Sequence, residues 1–227
     1  MNQRSIALSL AALAGIAAFT FGTPARSQDM PAPTFAVGDR WSYRETDLLT
    51  KNETGQFTET VTAVDANEYW IDARRQARTT WRGDAVKRVH REQTLYIEGA
   101  PEQRGKTIAT NDAGCAYPWP LKVGQSFECV ENTTWPNGWN VRYELKFTVE
   151  AAESLDTPAG KFDTLRLVAK GYANNLSTGA ISRQERILWL APAVKREVRH
   201  EIRTILKNNT IFKSEGRELT AFKAGGA

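Results

Sequence analysis

Asn137-Gly138-Trp139-Asn140-Val141-Arg142-Tyr143-Glu144-Leu145-Lys146-Phe147-Thr148-Val149-Glu150 decides how the rest of the chain is read. From Val141 onward, apolar and polar residues alternate without a break. Side chains of a strand point to opposite faces in turn, so this pattern predicts one buried and one wet face. Asn137-Gly138 is the preferred pair for a tight type I′ turn, so the stretch predicts the second arm of a hairpin. Trp135 and Trp139 bracket that turn. They form either a cross-strand clamp or an exposed aromatic tip touching membrane or glycan.

Upstream lies Tyr117-Pro118-Trp119-Pro120-Leu121-Lys122-Val123-Gly124-Gln125-Ser126-Phe127, flanked by the only two cysteines, Cys115 and Cys129. It echoes Phe35-Ala36-Val37-Gly38-Asp39-Arg40-Trp41, 86 residues earlier. At that offset Val37-Gly38 falls on Val123-Gly124, Trp41 on Phe127 and Phe57 on Tyr143, with Val61 on Phe147. Face parity survives throughout, as two copies of one hairpin unit require. The predicted fold is therefore all-β or mainly β. It is an antiparallel curved sheet or partly open barrel built from two similar hairpin-based halves, about 35–114 and 115–223, in a single domain spanning 35–223.

In the first half, strands are predicted from Asp39 to Leu48, Phe57 to Val64 and Glu68 to Asp72. A hairpin running Arg74 to Trp81 and Ala85 to Val89 turns at Arg82-Gly83-Asp84, and a short strand covers Thr94 to Glu98. Arg82-Gly83-Asp84 also spells an adhesion tripeptide, but Gly-Asp is a common turn pair. Gly99 to Gly114 reads as a long loop. In the second half, Thr157-Pro158-Ala159-Gly160 turns into a strand from Phe162 to Ala169. Gly171 to Gly179 reads as a loop, and Arg183 to Leu190 as the next strand. A last hairpin joins Ile211-Phe212 to Leu219–Phe222 around Glu215-Gly216.

Ala193 to Leu206 fits two periods. Val194, Val198, Ile202 and Ile205 make a helical stripe behind Pro192. As a strand, the same segment puts Lys195, Glu197, Arg199, Glu201 and Arg203 outside and Arg196 and His200 inside.

The ends read differently from the middle. Arg4 precedes an apolar run from Ile6 to Phe21, and Ala25-Arg26-Ser27 offers small residues for cleavage. Residues 1–27 are predicted to be a secretory signal peptide rather than an anchor. Its removal lowers the net charge from +4 to about +2, because the segment holds Arg4 and Arg26 and no acid. Residues 28–34 form an extended leader, and 224–227 a flexible tail. The balanced charge speaks against a nucleic-acid partner, which needs a clustered basic face. No transmembrane segment is expected once the signal is removed. The expected compartment is the periplasm or the exterior. There Cys115 and Cys129 would form a structural disulfide, closing a short loop for about 3 kcal/mol. The alternative, a metal or redox pair, lacks Cys-x-x-Cys spacing and has only His90 and His200 to draw on.

Three segments together carry a family resemblance: Tyr117-Pro118-Trp119-Pro120-Leu121-Lys122-Val123-Gly124, Thr157-Pro158-Ala159-Gly160-Lys161-Phe162-Asp163-Thr164-Leu165 and Trp189-Leu190-Ala191-Pro192-Ala193-Val194-Lys195-Arg196. They resemble exported bacterial β-rich proteins of a domain-of-unknown-function family, with Leu190 where a tyrosine is usual. The family is distantly similar to the curved-sheet lipoprotein-carrier folds of the periplasm. The resemblance implies antiparallel β throughout and favours a strand for Ala193–Leu206. It carries no chemistry, since a fold does not fix a function.

Gly-x-Ser-x-Gly, a phosphate-cradling glycine loop and a calcium loop are absent from the sequence. Glu197 and Glu201 could pair as glycosidase carboxylates, but they alternate with Lys195, Arg199 and Arg203 as a solvated ladder would. No catalytic residue, cofactor or metal is assigned, and the chain is not expected to be an enzyme; a hydrolase is the third reading. The first is a periplasmic protein binding an apolar or amphipathic ligand such as a lipid on its curved sheet. The second is a structural or interaction module for an envelope protein. The candidate ligand-binding residues are Arg196, His200, Trp189 and Trp41. An inward arginine fork suits a carboxylate or phosphate, and tryptophans suit a groove wall. The plainer reading pairs Arg196 with a buried acid and packs the tryptophans in the core.

Overall fold

The computed structural model describes residues 29–64, 68–77, 82–90, 102–103, 106–107, 110–111, 117–134 and 138–226. In chain order its strands are β1 (Arg40–Asp47), β2 (Glu53–Val64), β3 (Glu68–Ala77), β4 (Arg82–His90), β5 (Glu102–Gln103), β6 (Lys106–Thr107) and β7 (Thr110–Asn111). The second half adds β8 (Ser126–Thr134), β9 (Asn140–Thr157), β10 (Gly160–Asn175), β11 (Ala180–Ala191), β12 (Arg196–Ile205) and β13 (Ile211–Lys223). Among the described residues the only helical turn is a 3₁₀ turn at Pro192–Val194.

All strands join one open antiparallel sheet in the order β6-β5-β4-β3-β2-β1-β13-β12-β11-β10-β9-β8-β7. Each strand lies beside its sequence neighbour, with one exception. The first and last strands, β1 and β13, pair in the middle, while β6 and β7 form the two edges. The sheet is thus a meander whose ends have met and whose centre has been left open.

Alternation places the core on the inner face of this curved sheet. Leu145, Phe147 and Val149 of β9 are buried, as are Leu165, Leu167 and Ala169 of β10 and Leu188 of β11. Met30, Tyr117 and Leu121 cover that group. Around β1 a second group gathers Phe35, Trp41, Tyr43, Phe57, Val61 and Leu219. Stacked or edge-on rings recur in both, such as Tyr43 on Phe57 at 4.7 Å and Phe127 on Phe147 at 5.1 Å.

The two halves start alike. Gly38 and Gly124 both take φ near +90°, and each donates its N–H across the sheet, to Val61 and Val149 respectively. The lead-in strands therefore keep the expected offset of 86. The return strands do not. Trp41 pairs with Glu59 and Phe127 with Phe147, so the return arm is displaced by 88 and Phe57 matches Leu145 rather than Tyr143. A shift of two preserves which face each residue occupies, so the parity that supported the repeat is kept.

Several boundaries differ from the sequence reading. Ala193–Leu206 is a strand from Arg196, set off by Lys195 at φ 64° after the 3₁₀ turn. Arg82-Gly83-Asp84 is not a turn: the three residues begin β4 and pair with Gln76, Arg75 and Arg74. Gly171 is not in a loop but inside β10. A Cβ there would lie 1.9 Å from the carbonyl oxygen of Glu144, so only glycine lets β9 approach. Gly216 likewise is no hairpin turn. β13 runs continuously through it, and a Cβ there would meet the end of the Leu48 side chain at 2.7 Å. The leader is pinned by a bridge between Met30 and Leu121, and the tail by the N–H of Gly225 on Asp39 at 2.8 Å. The Gly99–Gly114 stretch contributes β5, β6 and β7 in place of an unstructured loop. The signal segment, the Thr94–Glu98 strand, Trp135, Asn137 and Cys115 lie outside the described residues.

Candidate functional site

The inner face has two regions of different character. One is filled and charged; the other is hollow.

The filled region holds two of the predicted site residues in contact. Trp41 is fully buried and donates its indole N–H to the carbonyl of Val194 at 2.7 Å. The guanidinium of Arg196 lies 5.0 Å from the Trp41 ring and donates to the Glu59 carboxylate. Glu197 lies 3.6 Å from Arg196 on its other side, and Arg217 reaches both Glu45 at 3.4 Å and Glu197 at 4.0 Å. Burial opposes the charge on Arg196, but Glu59 and Glu197 more than offset it and hold the guanidinium protonated. Tyr43 donates to the Glu197 backbone carbonyl at 3.0 Å, and burial, then the Glu197 charge, pushes its phenol well above its ordinary value.

Glu197 corrects the expected outer ladder. A register shift between Trp189 and Leu190 of β11 makes room for one extra residue on β12, so Glu197 turns inward and is buried while Arg199 and Arg203 stay outside.

His200 sits further along the inner face between its cross-strand partners Leu188 and Arg217. Burial, then the positive charges of Arg217, Arg186 and Lys213, hold its imidazole well below the usual histidine range. Trp189 alternates with Leu188 on β11 and so leaves the side of that strand that His200 occupies, but it lies in the same buried group as Trp41, Val194 and Val198, and donates to the Glu153 carboxylate at 2.6 Å. The structure thus brings Trp41 and Arg196 into contact, places Trp189 in the same buried apolar group as Trp41, and sets His200 between Leu188 and Arg217.

Beyond His200 the inner face empties into a groove of about 670 Å³ between β9 and β13. Tyr143 and Ala173 line one side, Ile202 and Thr204 the other, and Gln184 and Arg186 the floor. Arg186 is buried, with its guanidinium 5.1 Å from the Tyr143 ring. Gln184 donates to Thr204 at 3.1 Å and to Ser182 at 3.3 Å. The volume falls in the range of small-molecule sites, roughly 300–1,000 Å³, and apolar walls over a few polar groups are their usual make-up. These residues belong to no local chemical motif in the sequence. The available signal was parity: Gln184 and Arg186 share the face of Leu188, so polar side chains occupy core-facing positions of β11.

Among the described residues no group of three or more His, Cys, Asp or Glu side chains is placed to hold a metal ion. None of their helices is long and apolar enough to cross a membrane.

No protein-family model and no curated protein matches the chain. Solved structures do. A candidate lipoprotein from Parabacteroides distasonis matches with a TM-score of 0.57 at 16% identity, covering 86% of this chain and 100% of the other. A candidate exported protein from Bacteroides fragilis with a YmcC-like fold matches with a TM-score of 0.56 at 12% identity, covering 87% and 99%. At these identities the likeness is one of fold alone.

Proposed function

We propose that this chain is an exported, non-catalytic β protein of the periplasm or exterior that binds an amphipathic small molecule in the β9–β13 groove. The observation that carries the reading is the groove of about 670 Å³ at one end of an inner face whose other described apolar residues pack as core. Val141, Ala173, Ile181 and Ile202 offer an apolar wall to an acyl chain or comparable body, while Gln184 and Arg186 offer polar contacts at its inner end. The likeness to exported proteins and the sequence's N-terminal signal pattern support the compartment. Arg196 and Trp41 support a structural part instead, because their polar groups are already engaged by Glu59 and Val194.

Titration with a fluorescent fatty-acid analogue tests the reading. Saturable uptake, displaced by unlabelled fatty acid or lysophospholipid, is expected. Ala173→Phe, which extends a side chain into the groove, should weaken it at least about tenfold, since one blocked site removes most apolar contact. Absence of uptake, or equal uptake by A173F, sinks the proposal.

A further inference from the structure

The mouth of the groove is built from the hairpin tips at one end of the sheet. These are the end of β8–β9 at Gly138–Trp139, the β10–β11 turn at residues 176–179, and the β12–β13 turn at residues 206–210. The tips are unusually apolar for exposed turns. Phe212 is 72% exposed, and Trp139, Leu176 and Ile181 are half exposed or more. Contiguous exposed apolar residues of this kind mark a surface that meets something other than water.

Charge indicates what that something is. Residues 138–143, 174–184 and 204–213 contain Arg142, Arg183, Lys207 and Lys213 and no Asp or Glu. The nearest acids are Glu131, buried on β8 opposite Tyr143, Glu144, which is level with Arg183 and pairs with Arg142 at 2.6 Å, and Glu215, which pairs with Lys213 at 2.9 Å. Arg183 donates to Asn209 at 2.9 Å and braces two tips together. Lys207 projects, exposed, from the turn itself. A protein partner would need a matching apolar and acidic surface. An anionic bilayer supplies both at once, with phosphates for the cations and an interfacial zone for tryptophan and phenylalanine.

We infer that the rim formed by Trp139, Leu176, Ile181, Lys207 and Phe212 docks on an anionic phospholipid surface and opens the groove toward it. The docking stands on the rim alone. That it loads or unloads the groove rests on the amphipathic-ligand reading. The groove mouth and the rim share Trp139, Ile181 and Phe212, so a docked molecule presents its cavity to the lipid without rearrangement.

The test uses the full mature chain and two residues outside the groove lining, Leu176 and Lys207. Flotation with phosphatidylcholine vesicles containing phosphatidylglycerol should carry the protein up. Vesicles of phosphatidylcholine alone, or high salt, should weaken this about tenfold or more. Leu176→Ser and Lys207→Glu should each lower binding roughly tenfold while leaving the thermal midpoint and the fatty-acid titration unchanged. A173F should do the reverse, losing the titration and keeping flotation. Equal binding to neutral and anionic vesicles, or wild-type flotation by both rim variants, overturns the inference. So does a concentration-dependent dimer abolished by L176S without vesicles, which would assign the rim to a second copy.

Discussion

Arg196 on β12 and Glu59 on β2, 137 residues apart in sequence, form a buried ion pair that closes the inner face over Trp41. Their strands are not neighbours, since β1 and β13 stand between them. The pair therefore spans the curvature of the sheet and fixes how tightly it bends. Removing one partner strands the other charge away from water, which costs about 3–5 kcal/mol. Arg196→Met should lower unfolding stability by that amount in a urea titration. The double replacement R196M with Glu59→Leu should recover much of the loss, because no uncompensated charge remains. If Arg196 instead served an external anion, R196M would alter ligand uptake and spare stability.

His200 makes a prediction in a different pH window. Its folded pKa is depressed, so between that value and the ordinary histidine value of about 6.5 the unfolded chain holds more protons than the native one. Stability is then highest above about pH 6.5 and falls as pH drops below it, by up to about 1.4 kcal/mol per unit. Comparing unfolding midpoints from pH 7.5 to 5 should show this slope. His200→Gln should flatten it whatever its own stability at pH 7.5. An unchanged slope in H200Q would place the proton uptake elsewhere.

Much of this architecture was legible because alternation is a direct imprint of the sheet. Val141 to Val149 declared their faces, and the Gly38/Gly124 echo declared two lead-ins. What failed was the meaning of glycine inside strands. Gly171 and Gly216 look like punctuation, yet both lie inside strands, and Gly171 is required by a close approach of the Glu144 backbone that no local pattern encodes. Glu197 failed for a related reason: a single extra residue on β12 reverses its face, and such a shift follows from pairing with β11. The site was half legible. The plain reading of Arg196, a buried acid as partner, matches the contact with Glu59. The groove was hidden because a cavity is defined by what the neighbouring strands leave empty.

The two kinds of glycine should separate experimentally. Gly124→Ala introduces a methyl into open space at φ 88°, which costs about 1–2 kcal/mol for the left-handed backbone alone. Gly171→Ala drives a methyl against the Glu144 backbone, which cannot rotate away as a side chain would. It should cost about 3 kcal/mol or more and loosen the β9–β10 pairing. Amide exchange along Tyr143–Phe147 checks the second effect. Equal destabilisation by both variants would mean that β9 shifts freely.

Asp39 supplies the last prediction, because it ties three distant parts of the chain to one carboxylate. It accepts from the N–H of Ala36 at 2.7 Å and from that of Gly225 at 2.8 Å, and it pairs with Lys195 at 2.7 Å. Burial raises its pKa, but the Gly225 N–H, the Lys195 ammonium and the Ala36 N–H outweigh burial and leave it below the ordinary 3.8. A depressed carboxylate contributes stability that is complete above its unfolded value and is lost as pH falls through its folded one. Its window therefore opens below about pH 3.8, well clear of the His200 window. Asp39→Ala removes three hydrogen bonds to a charge, each worth about 1.5–3 kcal/mol at most. It should release the 224–226 segment first: exchange at the Gly225 amide rises sharply, and the acid-side slope below pH 3.8 diminishes. Protection at Gly225 that survives D39A would show that the tail is held by the backbone around Val37 and Gly38, which it also touches.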